Sequence, residues 1–480
     1  MAYTLLATDG YKFSMAEAAW PLRPETFYYS HRHGGASCVP LDIEAFIRSL
    51  LPEIAAADYD YLGQSDYLMC AGFREAMRQR NKLVVRALPK GAWFFDREPV
   101  FSVSGPSALV SWLEPLALML NYRIQLATLA LRHPERLARE VAVVTCDEQA
   151  GIVRETLDAV GVKAPPTRVD SEGYFKNVKA QVDELVRITG DPARIFEVGM
   201  RAATCMQQHE IALAACKEAG VTRTSNVELA RKLGMTAVGT MGHEHVQRYG
   251  NDRDAFHAMR DRRPGRSSFL LDTYDTLTSG MPAAFEIMQR EPDAGHSVRY
   301  DSGDKVTQYL CLVERAKALG ISPVHILEDG FDAALTRKFE QLRELVGVPA
   351  EKQFYGYGGY IVARTMPGTL TRDRVSAVYK LSQSGGTPTM KFGNEAGRGK
   401  QSVPGRPVVF RRTGADGPVS LIGQEGERPP HGYRLLTGSD NDGGPVAEQV
   451  ALKEEATVEL SEATQELVEE IRGRRPASSP

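Results

Sequence analysis

Seven short apolar runs, each followed by a helical pattern, dominate residues 194–375 and restrict the folds available to the chain. The runs cover residues 195–200, 221–224, 236–241, 268–272, 298–301, 323–328 and 353–357. Helical patterns lie between them at 202–219, 227–233, 252–260, 281–290, 305–319 and 332–345. Strands that alternate with helices form parallel sheets, because each crossover helix returns the chain to the same edge. Seven such units in series favour an α/β barrel over an open sheet.

The two ends of the chain lack this regular alternation of strand and helix patterns. Residues 1–190 mix strand patterns with a long apolar helix pattern at 111–131, and residues after 376 show short strand patterns between Gly- and Pro-rich loops. A charged helix pattern closes the chain at 448–474. We therefore predict an N-terminal mixed α+β domain over 1–190, an α/β barrel catalytic domain over 191–375, and a C-terminal segment over 376–480 that packs back on the N-terminal domain.

Charge and composition exclude several classes of protein. The 480 residues carry 58 Lys and Arg against 61 Asp and Glu, a net charge of −3 without a long basic block. The chain is thus neither a disordered protein nor one whose main partner is a nucleic acid polymer. No apolar run is long enough to span a bilayer, and the first residues lack a signal-peptide pattern. Six scattered cysteines indicate ordinary thiols, so we expect a cytoplasmic protein.

Polar residues stand at the carboxyl end of every predicted barrel strand, where barrels carry their chemistry. They include Arg201, Ser225, His243, Asp272, Arg299, Asp301, Asp329 and the Gly-rich loop at 356–359. Arginines suit phosphates and carboxylates, aspartates suit ribose hydroxyls or Mg²⁺, and glycine loops suit phosphate. A histidine among them could be a base or a nucleophile toward a phosphoryl group. The set predicts a site for a small sugar phosphate, with enough cations for a polyphosphate.

The same segments resemble the nicotinate/nicotinamide phosphoribosyltransferases in order and spacing. The resemblance includes residues 8–15, 111–128, 198–201, 224–226, 239–243, 272–275, 299–304 and 356–359, and resumes at 378–381, 391–393 and 404–405. It implies an irregular α/β barrel of the type II phosphoribosyltransferase kind. It also implies a reaction in which the base displaces pyrophosphate from phosphoribosyl pyrophosphate in NAD salvage. In the nicotinate branch, ATP hydrolysis is coupled to this reaction through a phosphohistidine.

The resemblance assigns roles to individual residues. His243 matches the phosphohistidine, and Asp301 and Arg299 join it as predicted catalytic residues. Predicted substrate-binding residues are Tyr11, Arg32, Arg201, Ser225, Asp272, Asp329, Gly330, Gly358 and Gly359. Tyr11 matches an aromatic residue that stacks on the pyridine ring, and Arg32 a pyrophosphate contact, both from the partner subunit of a homodimer with shared active sites. Mg²⁺ and the co-substrate ATP are implied, with the metal held mainly by pyrophosphate, so that no protein ligand is assigned.

Ser225 is the residue that indicates whether the base is the acid nicotinate or the amide nicotinamide. Nicotinamide-using relatives carry Asp at this position, and a carboxylate there would repel nicotinate, whereas a hydroxyl can donate to it. The residue therefore favours nicotinate phosphoribosyl transfer. Nicotinamide phosphoribosyl transfer is the first alternative, and a non-catalytic nucleotide-binding homologue is a more remote one. Quinolinate phosphoribosyl transfer would need further cations, and none stand at these strand ends.

Overall fold

A computed structural model describes residues 3–392, 401–414, 417–438 and 456–474. The N-terminal region combines short strands with many helices. Its strands are β1 (Pro24–Ser30), β2 (Ser37–Cys38), β3 (Val84–Ala87), β4 (Trp93–Phe94), β5 (Phe101–Pro106), β6 (Val143–Val144) and β7 (Arg168–Val169). Its helices are α1 (Gly10–Ala18), α2 (Ile43–Ser49), α3 (Ala56–Gln64), α4 (Ala71–Arg78), α5 (Ser107–Trp112), α6 (Glu114–Leu118), α7 (Leu120–Arg132), α8 (Pro134–Glu140), α9 (Asp147–Ala159) and α10 (Ser171–Thr189). The helix predicted at 111–131 is thus present as three consecutive helices, α5, α6 and α7.

The seven barrel strands predicted from the sequence are all present. They are β8 (Ile195–Glu197), β9 (Arg223–Thr224), β10 (Thr236–Ala237), β11 (Ser268–Leu270), β12 (Ser297–Tyr300), β13 (Val324–Leu327) and β14 (Gln353–Tyr357). Helices of this region are α11 (Met206–Glu218), α12 (Val227–Leu233), α13 (His243–Tyr249), α14 (Asp252–Arg262), α15 (Met281–Arg290), α16 (Lys305–Ala318), α17 (Ala333–Val346), α18 (Gly359–Val362) and α19 (Arg372–Val375).

All seven strands pair in parallel, in the order β10-β9-β8-β14-β13-β12-β11. The order places β10 and β11 at opposite edges, so the sheet curls into a half-barrel that stays open between them. The predicted α/β fold class is confirmed, with an open edge where a complete barrel would close.

Side-chain caps start α12, α16 and α17, which follow β9, β12 and β13. The Asn226 side chain accepts from the amide of Leu229 at 3.0 Å, and that of Asp332 accepts from Leu335 at 2.9 Å. A cap satisfies an amide that has no partner inside its own helix. These three strands can therefore give way to a helix within a few residues, which keeps their ends close together.

Strands from both chain ends share one antiparallel sheet. β15 (Val378–Ser384) pairs with β1, and β16 (Thr387–Pro388) lies outside it, in the order β16-β15-β1-β5-β3. A second sheet contains β17 (Pro407–Gly414), β18 (Gly417–Gln424), β19 (Arg434–Leu435) and β20 (Thr457–Leu460), and α20 (Glu462–Gly473) follows. The predicted domain boundaries at 190 and 375 stay predictions.

The closing helix predicted at 448–474 is wrong at residues 457–460. Residues 448–455 lie outside the described residues, and β20 occupies Thr457–Leu460, parallel to β18. The helix begins only after Ser461, whose hydroxyl caps it by accepting from the amide of Thr464. Across the described ranges, no helix combines the length and apolarity that crossing a membrane requires.

Candidate active site

Two glycines that face each other bring the start of α1 to the barrel. The amide of Gly10 donates to the carbonyl of Ser225 at 2.7 Å. A Cβ on Gly239 would lie 2.4 Å from the carbonyl carbon of Gly10, and one on Gly10 would lie 2.4 Å from the carbonyl oxygen of Val238. Neither position has room for a side chain. The close approach therefore holds Asp9 and the residues after it at the carboxyl ends of β9 and β10.

A cavity of about 520 Å³ lies at this end of the sheet and continues along the barrel. Its lining contains six of the residues predicted from the sequence, namely Tyr11, Arg201, Ser225, His243, Arg299 and Asp301. It extends to Phe196 and Phe354, whose rings stack with centroids 5.3 Å apart. This size suits a small ligand.

One end of the cavity is built by Tyr11, Asp9, Arg201 and Ser225. The Tyr11 hydroxyl donates to Oε2 of Glu114 at 2.5 Å, and the Arg201 guanidinium lies 5.6 Å from the Tyr11 ring centroid. Nε of Arg201 is 3.6 Å from Oδ2 of Asp9. The Ser225 hydroxyl donates to Oδ1 of Asp9 at 2.6 Å. The donor that the sequence analysis assigned to the substrate is therefore already used within the protein.

Tyr11 and Arg32 lie beside the barrel of their own chain, whereas the resemblance implied that a partner subunit supplies them. Tyr11 lines the cavity because the glycine contact holds α1 there. The amide of Arg32 donates to the carbonyl of Val375 at 3.0 Å, and its guanidinium is close enough to Asp301 for the two charges to interact. A single chain thus places Tyr11 in its own cavity and Arg32 near Asp301, outside the cavity lining.

His243 begins α13, and three side chains surround its ring. Nδ1 lies 3.1 Å from Oγ1 of Thr273, and Nε2 lies 2.7 Å from Nζ of Lys391 and 3.1 Å from Oδ2 of Asp301. Burial and the charge of Lys391 lower the pKa of His243, so the ring is neutral near neutral pH. An ammonium can only donate, so we assign the ring proton to Nδ1 and the lone pair to Nε2.

Asp272 and Asp301 lie beside this ring as carboxylates. Burial raises the pKa of Asp301, but the charge of Lys391 helps to bring it well below the usual value. For Asp272 the charge of Lys391 likewise opposes the effect of burial, and the pKa is lowered. Nζ of Lys391 lies 3.3 Å from Asp272 and 3.6 Å from Asp301. The single ammonium of Lys391 therefore offsets part of the charge of the two carboxylates.

The arrangement of this cluster does not fit a protein-bound Mg²⁺. One atom from each of His243, Asp272 and Asp301 lies within 4.8 Å of the others, and carboxylate oxygens suit the ion. The Lys391 ammonium, however, already contacts all three groups. A second cation among them would meet electrostatic repulsion, so no reaction step is assigned to a metal at this cluster.

Further cations face the same cavity. Arg299 donates to the Thr240 hydroxyl, and its Nε lies 3.6 Å from Oε2 of Glu328. Lys380, on β15, also lines the cavity, and among the described residues its ammonium has neither a hydrogen bond nor an ion pair. Burial lowers the pKa of Lys380 to about 7. Together with Arg201 these groups suit a polyanionic ligand.

A buried network fixes the loops on both sides of the Asp9 end. Oε1 of Glu197 accepts from the amide of Gly199 at 2.7 Å and lies 2.9 Å from Nε2 of His209, and Oε2 accepts from the Thr224 hydroxyl at 2.7 Å. Nδ2 of Asn226 lies 3.0 Å from Nδ1 of His209. The network ties the turn after β8 to the loop after β9.

Six predicted residues lie outside the cavity lining: Arg32, Asp272, Asp329, Gly330, Gly358 and Gly359. Asp329 and Gly330 form a turn with φ of +57° and +73°, and the Asp329 carbonyl accepts from Lys305 at 2.8 Å. Gly358 approaches the barrel closely, since a Cβ there would lie 3.2 Å from the carbonyl oxygen of Val198. The predicted roles of these residues stay predictions.

Sequence reasoning assigned no role to Asp9, Glu114, Lys380 or Lys391. Asp9, Lys380 and Lys391 stand inside segments that carry the resemblance, but one sequence gives no measure of which positions in a segment meet the ligand. Glu114 was the stronger signal, because it is a carboxylate in an apolar helix pattern and is buried at 6 % exposure. A buried carboxylate needs partners, and Glu114 has them in Tyr11 and Lys12.

Comparison with known proteins agrees with this geometry. The chain is 26 % identical over 466 residues to nicotinate phosphoribosyltransferase of Bos taurus and 27 % identical over 458 residues to that of Homo sapiens. Each alignment covers 88 % of this chain and 80 % of the relative. No family model matches the chain.

The fold is similar to that of solved nicotinate phosphoribosyltransferases. The structure from Porphyromonas gingivalis matches with a TM-score of 0.60 at 17 % identity, covering 83 % of this chain and 96 % of that one. The structure from Vibrio cholerae matches with a TM-score of 0.58 at 20 % identity, covering 83 % and 90 %. The chain is thus similar to nicotinate phosphoribosyltransferases in sequence along most of its length, and it shares their fold.

Proposed function

We propose that the protein transfers a phosphoribosyl group from phosphoribosyl pyrophosphate to nicotinate, forming nicotinate mononucleotide and pyrophosphate for NAD salvage in the cytoplasm. One observation carries the proposal. A single cavity joins an end with an aromatic ring and an arginine, Tyr11 and Arg201, to His243 and Asp301. The first pair suits an aromatic acid, and the second suits ribose and phosphate.

The transfer separates charge, and the residues of the cavity match that separation. The pyridine nitrogen attacks C1 of the ribose while the C1–O bond to pyrophosphate breaks, and the bonding electrons leave with the pyrophosphate oxygen. Positive charge that develops on the ribose is stabilised by the Asp301 carboxylate, and negative charge on the leaving group by Arg299 and Lys380. Side chains already aimed at these charges need little reorganisation during the reaction. Mg²⁺ would enter bound to the pyrophosphate group and add a further positive charge there.

ATP coupling through His243 is part of the proposal. Nε2 of His243 would take the γ-phosphoryl group of ATP as ADP leaves, and water would later release it as phosphate. A neutral ring with its lone pair on Nε2 supports this role, because only an unprotonated nitrogen is a nucleophile. The adjacent Lys391 ammonium would compensate the charge of the transferred group.

A homodimer with shared active sites is also proposed, on the resemblance alone. Tyr11 and Arg32 of the same chain already lie near the cavity. A partner subunit would then complete or cover the site with other residues.

Nicotinamide phosphoribosyl transfer is a second candidate that one observation favours. Since the Ser225 hydroxyl donates to Asp9, acceptor atoms are left facing the cavity at this point. Acceptors suit the NH₂ group of an amide, which donates, better than they suit a carboxylate, which only accepts.

A base comparison tests both candidates. The purified full chain is given phosphoribosyl pyrophosphate and Mg²⁺ with nicotinate or nicotinamide, each with and without ATP, and mononucleotide and pyrophosphate are measured. We expect nicotinate mononucleotide, at a rate that ATP stimulates. Preferred turnover of nicotinamide would replace the proposal by its second candidate, and failure to turn over either base while still binding nucleotide would indicate the non-catalytic homologue.

A further inference from the structure

We propose that Asp9 and Ser225 act as one specificity-determining pair, in which Asp9 carries a proton when nicotinate is bound and no proton when nicotinamide is bound. The inference rests on the proposed function and extends it to Asp9, a residue without an assigned role in the sequence analysis. It makes the choice between acid and amide depend on one proton.

The geometry isolates this pair from water and fixes it in place. Asp9 is 1 % exposed and Ser225 is 5 % exposed, and both line the cavity. Oδ1 of Asp9 accepts from Ser225 at 2.6 Å, whereas Oδ2 is buried without a hydrogen-bond partner in the described part of the chain. The backbone bond from Gly10 to Ser225 keeps the two residues together. Oδ2 is therefore a buried polar atom that a ligand could satisfy.

The number of protons on the pair decides whether it presents a hydrogen-bond donor or only acceptors to a ligand. The hydroxyl has one proton, and an ionised carboxylate has none. With Asp9 ionised, the Ser225 proton is used on Oδ1, and the cavity meets only acceptors. Those acceptors suit the NH₂ group of nicotinamide.

One additional proton reverses the character of the pair. It can sit on Oδ2 and point at the ligand, or on Oδ1 and donate to Ser225, which frees the hydroxyl proton. Either way one donor faces the cavity, and it suits the carboxylate of nicotinate. A site that leaves a buried polar group unpaired against the wrong ligand discriminates strongly against that ligand.

The charges around Asp9 keep both protonation states accessible. Burial raises the pKa of Asp9, and the charge of Arg201 and the Ser225 hydrogen bond oppose that rise. Glu114, on α6, raises the pKa further, and Lys12, on α1, lowers it. The Tyr11 phenol, on the same helix, stays neutral because burial raises its pKa well above the usual value. A nicotinate carboxylate arriving beside Asp9 adds negative charge and favours proton uptake.

A purely structural role for Asp9 would be to hold Ser225 and α1 in place. Loss of such a role would change kcat and KM for both bases together, at every pH. The proposed role instead predicts a KM that changes with pH in opposite directions for the two bases. The test therefore uses pH profiles, with Asp9→Asn as the isosteric variant and Ser225→Ala as the second.

For the parent protein, we expect the KM for nicotinate to rise with pH as Asp9 ionises, and the KM for nicotinamide to fall, while kcat changes less. Asp9→Asn should make the nicotinate KM independent of pH and raise the nicotinamide KM about ten- to hundredfold, since its NH₂ group offers a fixed donor. Ser225→Ala should shift the nicotinate profile to higher pH, because the Ser225 hydrogen bond lowers the pKa of Asp9. Asp42→Asn, which changes an exposed helix cap of α2 outside the cavity lining, is the control and should leave the profiles unchanged.

Calorimetry gives a readout that needs no turnover. Nicotinate is titrated into the full chain, with Mg²⁺ and pyrophosphate present, in two buffers of different ionisation enthalpy. We expect uptake of about one proton by the parent and none by Asp9→Asn. Equal proton uptake, or unchanged pH profiles, in Asp9→Asn would overturn the inference while leaving the proposed function intact. A parent that uses neither base would contradict the proposed function itself.

Discussion

The ammonium of Lys391 lies 2.7 Å from Nε2 of His243, nearer than the carboxylate of Asp301 at 3.1 Å or that of Asp272 at 3.8 Å. A cation is thus the immediate neighbour of the proposed phosphoryl acceptor. Burial and this nearest cation lower the pKa of the imidazole, which stays neutral although two carboxylates lie beside it.

Replacing Lys391 by Met should raise the pKa of His243, because the charge of Lys391 lowers it and the carboxylates raise it. A higher pKa leaves less unprotonated ring at a given pH, so the acid limb of the ATP-coupled rate should move to higher pH. The measurement is ATP hydrolysis against pH. Lys391→Arg keeps the charge and should keep the limb near its original position, and a limb that does not move in Lys391→Met would contradict the role of the cation.

His243→Ala should abolish ATP stimulation and leave some uncoupled turnover, because the cavity and its cations remain. The measurement is mononucleotide formation with and without ATP, together with acid-labile phosphate incorporated into the protein. His257→Ala, on α14 and outside the cavity lining, should retain both signals. ATP stimulation that survives in His243→Ala would rule out the phosphohistidine.

Ser225→Asp should lower kcat/KM for nicotinate by about tenfold or more, since a second carboxylate beside Asp9 repels the acid. For nicotinamide, which carries no charge, kcat/KM should fall much less. The two bases are compared at one pH in parent and variant. Equal kcat/KM for nicotinate in both proteins would contradict electrostatic selection at this position.

Gly239→Ala should displace the start of α1, because its Cβ would lie 2.4 Å from the backbone of Gly10. We expect a loss of about 1–3 kcal/mol in the free energy of unfolding, measured by denaturant, and a raised KM for the base. Gly63→Ala is the matched control, since a Cβ on this helical residue would meet nothing within 4 Å and should be neutral or slightly stabilising. Equal stability and equal KM in both variants would show that the close approach has no effect on the site.

The strands of the half-barrel were predictable because each is a local apolar run bounded by turns and helices. The open edge was not, since it depends on whether β10 and β11 pair, and no local pattern records that. By contrast, residues 457–460 lie within a longer charged pattern that predicts a helix, yet pairing with β18 makes them a strand. Tertiary pairing decides such short segments.

Within the site, the strand ends identified Arg201, Ser225, His243, Arg299 and Asp301, because parallel strands bring their carboxyl ends together. Asp9 could not be placed this way, since it reaches the site through a backbone contact more than 200 positions away along the chain. The direction in which the Ser225 hydroxyl donates could not be predicted either, because Asp9 is its acceptor. Side chains at strand ends are predictable from topology, whereas their hydrogen-bond partners are not.

The contact between Gly10 and Gly239 also has a consequence for synthesis of the chain. Asp9 and Tyr11 are synthesised well before the surface that receives them, which is completed only after residue 239 has emerged, and Lys391 joins His243 later still. Phe13 can pack early against Tyr67 and Phe73, but Met15, fully buried in the folded protein, must wait for Gly242. The start of α1 therefore lacks part of its packing while more than 200 further residues are made, and the site is complete only after residue 391.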